Sequence, residues 1–418
     1  MEKHLSPRIY YGWIIVAASS VIMFIQAGTQ YSFGVFFNHL VADFGWSHAN
    51  TSGIFSCYTV IHGITGIGAG WLVDRFGPTR IVACAGILAG TGLILTSRIS
   101  ELWQIYLTYG LIVGVGFSAG YPAAMAATTR WFKERRGLAL GIASTGVGLG
   151  IIVISPLSER IINVLNWSSA YFILGIAALA IMLPCALIMK FPTLTNGRPL
   201  PAADKDILVA GTSPGKSEES APVEKGMTIK EAIRHKPIWY IMAAFFFFNF
   251  CLQMIMVHLV NYAIDMEIAP FIAATFISVI GFGSTFGRVI MGMISDRIGG
   301  NNALLACCVT VSVTVILLIF SRDLWTFYLF SVIFGFAYGG EVPQMPLLIG
   351  KYYGMRTVAT LVGVSLLGTA AGGASGAWVC GKIFDTTQSY QLAFIVAMAS
   401  SIFSVAAALA LKKTKPVV

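Results

Sequence analysis

Long apolar runs recur along almost the whole sequence, and they limit the folds that this chain can adopt. Twelve runs are long enough to cross roughly 30 Å of hydrocarbon at a helical rise of about 1.5 Å per residue. They lie near residues 11–36, 50–73, 80–98, 103–129, 137–158, 168–190, 238–263, 268–295, 302–321, 324–350, 357–382 and 389–411. A backbone in lipid must satisfy its own hydrogen bonds, so each run is predicted to be a transmembrane helix. The predicted fold class is therefore an all-α membrane protein.

Charged residues are scarce, and their positions predict the orientation in the membrane. Only 11% of the 418 residues are charged, against about 25% in soluble domains, which excludes a soluble fold. Both termini, the even-numbered connections and the central segment hold 22 of the 27 Lys and Arg residues. By the positive-inside rule both termini are cytoplasmic, and we expect the cell (inner) membrane as the location. The net charge of +9 then reflects topology, so we expect a lipid bilayer and no nucleic acid as partner.

The segment 191–236 differs in composition from the rest of the chain. It is rich in Pro, Gly, Ser and charged residues, which is typical of a flexible linker. From Thr228 onward, the sequence TIKEAIRHKP indicates a short amphipathic helix at the membrane surface. This segment predicts three parts, namely a six-helix bundle over 1–190, a cytoplasmic linker over 191–236 and a second six-helix bundle over 237–418.

The two predicted bundles repeat one sequence pattern. Gly70–Gly77 after the second run reads GWLVDRFG, and Gly292–Gly299 after the eighth run reads GMISDRIG, 222 positions later. Arg130-Trp131-Phe132 after the fourth run likewise matches Lys351-Tyr352-Tyr353 after the tenth. Repeats of this kind are typical of carriers whose binding site lies between two halves near the middle of the membrane. The chain is predicted to hold twelve transmembrane helices in two six-helix pseudo-repeats.

These motifs resemble those of the major facilitator superfamily. The stretch from Gly70 to Arg80 is similar to the family's motif between helices 2 and 3, and Gly292–Gly299 matches it more weakly. The resemblance implies the major facilitator fold. It also implies a cytoplasmic gate that holds the halves together and releases them during transport, formed here by Asp74, Arg75, Arg80, Asp296 and Arg297.

A narrower resemblance connects the chain to monocarboxylate transporters and to bacterial oxalate–formate exchangers. Residues 130–150 are similar to the helix 5 motif of the monocarboxylate transporters, and Tyr11-Gly12-Trp13 is similar to their helix 1 motif. Gln30-Tyr31-Ser32 and the stretch from Phe334 to Tyr338 are similar to the exchangers. In both families an arginine of helix 8 binds the substrate carboxylate, and that position falls on Arg288.

Arg288 is also conspicuous without the resemblance. It is the one basic residue inside a predicted span, where a charge costs about 2.5–3.5 kcal/mol on insertion scales. The equivalent position of the first half is Gly66, so the repeated scaffold does not require a cation there. A planar guanidinium suits a carboxylate, although an intramembrane salt bridge is the alternative.

No basic residue lies between Arg356 and Lys382, so the second cation that the exchangers use in helix 11 is missing. Its absence from the sequence favours a monocarboxylate.

Other polar and aromatic residues inside the spans are candidates for the same site. Aromatic walls with a few polar groups suit a small organic anion, although each of these side chains could instead pack between helices. The substrate-binding candidates besides Arg288 are Gln30, Tyr31, Tyr121, Asn249, Phe334 and Tyr338. The proton-coupling candidates are Glu341 and His62. The monocarboxylate transporters place an acid four residues before the helix 8 arginine, and this position is Ser284 here.

The sequence therefore predicts a secondary active transporter of a small monocarboxylate such as lactate or pyruvate. Proton symport by alternating access is favoured, with a small organic anion and a proton as partners and a monomer as the working unit. The alternatives are an anion exchanger of the oxalate–formate type, an exporter of cations or drugs, and a membrane sensor. The sequence contains no Walker motif, nucleophile elbow or metal-spaced His or Cys cluster. We accordingly expect no enzymatic activity, cofactor or metal.

Overall fold

A computed structural model describes residues 10–192, 227–387 and 389–417. These residues contain twelve long helices and no strand, which confirms the predicted all-α class. The helices are α1 Tyr11–Phe44, α2 His48–Phe76, α3 Pro78–Thr96, α4 Leu102–Trp131, α5 Arg136–Val164, α6 Trp167–Ile188, α7 Lys236–Asp265, α8 Pro270–Ile298, α9 Gly300–Phe320, α10 Leu324–Tyr353, α11 Val358–Thr387 and α12 Gln391–Lys412. Eleven of the twelve, all except α2, are long and apolar enough to cross a membrane.

The helices pack in the same pattern in the first six and in the last six. In the first set α1 packs along α5 and α3 along α6, and in the second set α7 packs along α11 and α9 along α12. The sets meet through α2 with α11 and through α5 with α8, and these two interfaces correspond to each other under the sequence repeat. The predicted boundaries at 190 and 237 stay a prediction, because residues 193–226 of the linker lie outside the described residues.

Two of the long helices are irregular along their length. In α4 the segment Tyr106–Val113 is a π-helix. In α10 the segments Leu324–Glu341 and Gln344–Tyr353 are separated by Val342 and Pro343, since a proline has no N–H to continue the helical ladder. Irregular turns of this kind often mark functional sites. Glu341 is the last residue before the break.

The repeated motifs form the same corner twice. Gly77 and Gly299 both adopt a left-handed φ, 83° and 82°, which glycine adopts without steric penalty. The N–H of each glycine donates to the carbonyl of the residue four positions earlier, at 2.9 Å in both corners. The sequence repeat is therefore a structural repeat at these turns.

The amphipathic helix predicted from Thr228 is present but short. It spans Ile229–Ala232, and its N-terminus is closed by a capping box between Thr228 and Glu231. Just before it, the Met227 N–H donates to the Tyr353 carbonyl at 3.1 Å, and the Thr357 hydroxyl donates to the Met227 carbonyl at 2.7 Å. The described end of the linker is thus attached to the loop between α10 and α11.

Candidate functional site

A cavity of about 230 Å³ lies between the two sets of helices. It is smaller than the roughly 300–1,000 Å³ typical of sites for drug-sized ligands, so it suits a small molecule. Its walls are Met23, Gln26, Ala27, Gln30, Tyr31, His62, Tyr121, Val147, Phe245, Asn249, Arg288, Tyr338, Glu341, Val342, Met345, Leu366 and Thr369. All but one of the residues predicted to bind substrate or carry a proton line this cavity.

The exception is Phe334. Its side chain is fully buried, and its ring stacks on Phe330 with the centroids 4.9 Å apart. Sequence spacing placed Phe334 on the face of Tyr338, but four residues turn a helix by 40° more than one full turn and advance about 6 Å along its axis. Tyr338 therefore reaches the cavity, whereas Phe334 packs inside the second set of helices.

Arg288 is almost fully buried, with 2% of its surface exposed. Its Nη1 donates a hydrogen bond of 2.9 Å to the backbone carbonyl of Ser144 in α5. Among the described residues Nε has no hydrogen-bond partner, and Nη1 is the one guanidinium nitrogen that donates a hydrogen bond to protein. The guanidinium carbon lies 5.8 Å from the centre of the Tyr338 ring. Nε and Nη2 are thus the guanidinium nitrogens without a hydrogen-bond partner in the described part of the chain, and Nε is itself buried.

Glu341 is the acidic side chain on the cavity wall. It is 3% exposed, and its Oε1 has no hydrogen-bond partner among the described residues. It lies close enough to Arg288 for an electrostatic interaction, but the pair is not within the 4.0 Å of an ion pair in the described part of the chain. A buried carboxylate without partners is unstable unless it binds a proton or a cation.

His62 lies on the opposite wall and is already paired. Its Nε2 is 3.1 Å from Nε2 of Gln26, and its ring stacks on Tyr58 with a centroid distance of 5.6 Å. The imidazole also interacts with the Phe117 backbone, so neighbours in two other helices hold it. His62 is therefore engaged by its neighbours, whereas Oε1 of Glu341 has no hydrogen-bond partner among the described residues.

The remaining predicted residues form aromatic and amide walls. Tyr31 is 48% exposed, so one side of the cavity is accessible to solvent. The Tyr121 hydroxyl donates to the Val342 carbonyl at 3.4 Å, which joins α4 to the break in α10. The Asn249 amide donates to the Phe245 carbonyl one turn earlier at 3.2 Å. Gln30 lines the cavity beside Tyr31.

Sequence reasoning missed several cavity residues. Gln26 carried a usable signal, because it is a second polar residue four positions before Gln30 and on the same helical face. The Ser144 carbonyl carried none, since a backbone acceptor in another helix leaves no trace in the sequence. Thr369 and the apolar walls likewise have no spacing that separates them from ordinary packing residues.

The Asp74 corner closes one end of the interface between the halves. Its carboxylate accepts hydrogen bonds from the Thr360 N–H at 2.8 Å and the Thr360 hydroxyl at 2.7 Å, at the start of α11. Arg130 forms an ion pair with Asp74 at 3.1 Å and also donates to the Met355 carbonyl across the interface. The sequence did not single out Arg130 as a gate residue.

The Asp296 corner repeats this contact at the start of α5. Its carboxylate accepts the Gly137 N–H at 2.6 Å and the Leu138 N–H at 2.9 Å. Of the predicted gate arginines, Arg75 stacks on Trp71 within its own helix. Within the described ranges no hydrogen bond or ion pair joins Arg75, Arg80 or Arg297 to the other half. Both aspartates thus hold the interface, whereas these three arginines do not in this conformation.

Two repeated sets of six helices around a cavity lined by both sets define a multi-pass membrane carrier. A sequence profile of the Major Facilitator Superfamily matches residues 19–377, and the chain belongs to this family. It is accordingly a transporter and not an enzyme.

Several known proteins are similar over most of their length. Monocarboxylate transporter 13 of Bos taurus is 28% identical over 389 residues, covering 93% of this chain and 86% of that protein. Monocarboxylate transporter 12 of Xenopus laevis is 27% identical, with 94% and 87% covered. The solved structure of the E. coli fucose:proton symporter FucP superposes with a TM-score of 0.71 at 16% identity, covering 97% of this chain and 100% of FucP. The last similarity concerns the fold alone.

Proposed function

We propose that this carrier transports a small monocarboxylate of the lactate or pyruvate type. The observation that carries the proposal is the Nε–Nη2 edge of Arg288, a cavity-wall residue, because neither nitrogen has a hydrogen-bond partner among the described residues. A carboxylate presents two oxygens at the spacing of that edge and forms charge-assisted bonds roughly twice as strong as neutral ones. The names of the similar proteins, two of them monocarboxylate transporters, support the same substrate class.

The charge of the cavity favours one carboxylate over two. Arg288 is the cation on its wall, and Glu341 and His62 are its other titratable groups apart from tyrosines. In a buried site of low dielectric constant a second substrate carboxylate would have no cation beside it. A volume of about 230 Å³ also suits an acid of a few carbon atoms. A dicarboxylate such as oxalate is therefore the less suitable substrate.

Glu341 is our choice for the proton-carrying residue. Both the substrate and Glu341 would supply a negative charge near Arg288, and two buried anions facing one cation repel each other. Protonation of Glu341 removes that repulsion, so one proton would accompany one carboxylate. The partnerless Oε1 of Glu341 favours it over His62, whose Nε2 is engaged by Gln26.

Alternating access would use the two repeated interfaces. The contacts of Asp74 and Asp296 close the end that the positive-inside rule assigns to the cytoplasm. The exposed Tyr31 supports a cavity that faces the opposite side. The carrier would then sit in the inner membrane with cytoplasmic termini, work as a monomer, and deliver substrate inward after both corners separate.

Uptake by proteoliposomes tests this function. Purified carrier is reconstituted, and accumulation of labelled lactate, pyruvate, formate and oxalate is followed with and without an inward proton gradient. We expect gradient-driven accumulation of lactate or pyruvate without internal substrate. Transport that requires internal substrate and proceeds equally without a gradient would identify an exchanger, and transport of none of these acids would reject the carboxylate site.

A further inference from the structure

The two interfaces between the halves share a close backbone approach at equivalent glycines but differ at Arg288. A Cβ added to Gly141 in α5 would lie 3.0 Å from the Arg288 carbonyl carbon in α8. At the equivalent position of the repeat, 222 residues away, a Cβ added to Gly363 in α11 would lie 3.1 Å from the Gly66 carbonyl carbon in α2. Both helix pairs thus approach each other closely at a glycine, and the two glycines occupy equivalent positions of the repeat.

The side chains at this level differ between the two interfaces. Arg288 extends from α8 to the Ser144 carbonyl of α5, one turn beyond Gly141. Its counterpart Gly66 has no side chain, and the counterpart of Ser144 is Leu366. A hydrogen bond from the candidate substrate-binding residue therefore crosses the α5–α8 interface and has no equivalent at the α2–α11 interface.

That bond engages one of the two guanidinium edges that could bind a carboxylate. A planar guanidinium has two edges that can bind a carboxylate, and each edge includes Nη2 with either Nε or Nη1. With Nη1 engaged by Ser144, the edge formed by Nε and Nη2 is the one without a hydrogen-bond partner in the described part of the chain. Fixing the guanidinium before the ligand arrives reduces the entropy lost on binding.

We propose that the Ser144 carbonyl is a positioning group for Arg288 and links carboxylate affinity to the closed state of the α5–α8 interface. This inference rests on the proposed function, because it assumes a carboxylate at Arg288. When α5 and α8 separate during transport, Arg288 loses the acceptor that orients it. The affinity for substrate then falls on the side to which it is released, while the α2–α11 interface opens without direct contact with the substrate.

A matched pair of alanine substitutions tests the asymmetry. Gly141→Ala and Gly363→Ala introduce the same methyl group at equivalent positions, against a backbone carbonyl oxygen that lies closer at Gly141 than at Gly363, where the distance is 2.6 Å. We expect Gly141→Ala to raise the KM for carboxylate uptake about tenfold, because it displaces Arg288 from Ser144. Gly363→Ala should lower the maximal rate by a comparable factor but leave KM within about twofold. Equal changes of KM in the two variants would overturn the proposal.

A backbone substitution avoids any steric effect on folding. Replacing Thr145 by its α-hydroxy acid converts the Ser144 carbonyl into an ester carbonyl, which is a weaker acceptor. The matched control replaces Leu367 in the same way, so that the Leu366 carbonyl is weakened and an equivalent helical N–H is lost. KM should rise several-fold in the first protein and stay unchanged in the second. An unchanged KM in both proteins would overturn the proposal.

The direction of transport gives a second readout that a purely structural contact would not affect. At equal pH on both sides, we expect the wild-type KM to be lower for entry on the cavity side than for exit from the other side. The ester at position 145 should reduce this ratio toward one, and the ester at 367 should preserve it. A ratio that the ester at 145 leaves intact would contradict the linkage to the interface.

Failure of this inference can be distinguished from failure of the proposed function. If Arg288→Ala retains carboxylate uptake, the carboxylate site itself is wrong. If Arg288→Ala abolishes uptake while both esters behave alike, the site stands and only the positioning by Ser144 is rejected.

Discussion

At the scale of single residues, the charge of Arg288 could be found from sequence, but its geometry could not. A lone arginine in an apolar span predicts a functional residue because of its desolvation cost. Which guanidinium nitrogens are free depends on the Ser144 carbonyl in another helix, and backbone acceptors are not encoded in side-chain patterns. The same limit applies to the pairing of Gln26 with His62, since two polar residues on different helices meet only after packing.

Glu341→Gln should uncouple transport from the proton gradient. Glutamine keeps the shape of the side chain but cannot carry a proton, so gradient-driven accumulation should fall to the equilibrium level while exchange of internal for external substrate continues. Proteoliposome accumulation and counterflow assays measure the two activities. Glu231→Gln makes the same chemical change in the surface helix Ile229–Ala232 and should leave both unchanged. Normal accumulation by Glu341→Gln would contradict its assignment and leave His62 as the candidate.

The Tyr338 ring should contribute to carboxylate binding through Arg288. The ring centre lies 5.8 Å from the guanidinium carbon, and such a contact contributes about 0.5–1 kcal/mol at exposed sites and about 2 kcal/mol when desolvated, or a factor of roughly two to thirty. We expect Tyr338→Leu to raise the KM by that factor and Tyr338→Phe, which keeps the ring, to stay within about twofold of wild type. A KM raised equally by both substitutions would instead assign the effect to the hydroxyl.

At the scale of helices and corners, the sequence repeat was the most informative signal. The offset of 222 residues relates Asp74 to Asp296 and also relates the N–H groups that donate to them, in the first turns of α11 and α5. The helix count and the corner turns were accordingly predictable. The break in α10 and the pairing of Arg130 with Asp74 could not be predicted from sequence. Both depend on how separate segments approach each other, which sequence spacing does not report.

The two corners should differ in strength. Asp74→Ala removes a buried carboxylate that pairs with Arg130 and accepts from Thr360, where the paired side chains are under 10% exposed, and breaking a buried ion pair costs about 3–5 kcal/mol. Asp296→Ala removes a carboxylate that caps α5, a loss of about 1–2 kcal/mol. We expect a larger decrease of Tm in detergent for Asp74→Ala than for Asp296→Ala. The reverse order would show that Arg130 does not stabilise this corner.

At the scale of the whole molecule, the interface between the halves is closed at one end, and the cavity between them is accessible to solvent on one side. The closed end is held by the two aspartate corners, whereas Tyr31 on α1 is exposed. The sequence predicts that a carrier of this type alternates between two such states, but it contains no information on which state is populated. Which state is populated depends on the small free-energy difference between two packings of the same helices.

Labelling with a membrane-impermeant maleimide should locate the open side. Gly34, one turn beyond Tyr31, has no atom within 4 Å of an added Cβ. With the seven native cysteines replaced, Gly34→Cys should react from outside intact cells, and saturating substrate should slow the reaction. Lys133→Cys, in the exposed loop after α4, should react only after permeabilisation. Reaction of Gly34→Cys only after permeabilisation would reverse the proposed orientation.

The central claim is that Arg288 binds the carboxylate of the transported acid. The most direct test is uptake of labelled lactate or pyruvate by proteoliposomes that contain wild-type carrier, Arg288→Lys or Arg288→Ala at equal, verified density. Loss of the two-pronged charged contact corresponds to roughly 3 kcal/mol or about a hundredfold in transport efficiency, so uptake by both variants should fall to background. Both proteins should elute as the wild type does in size-exclusion chromatography. Wild-type uptake by either variant would contradict the claim.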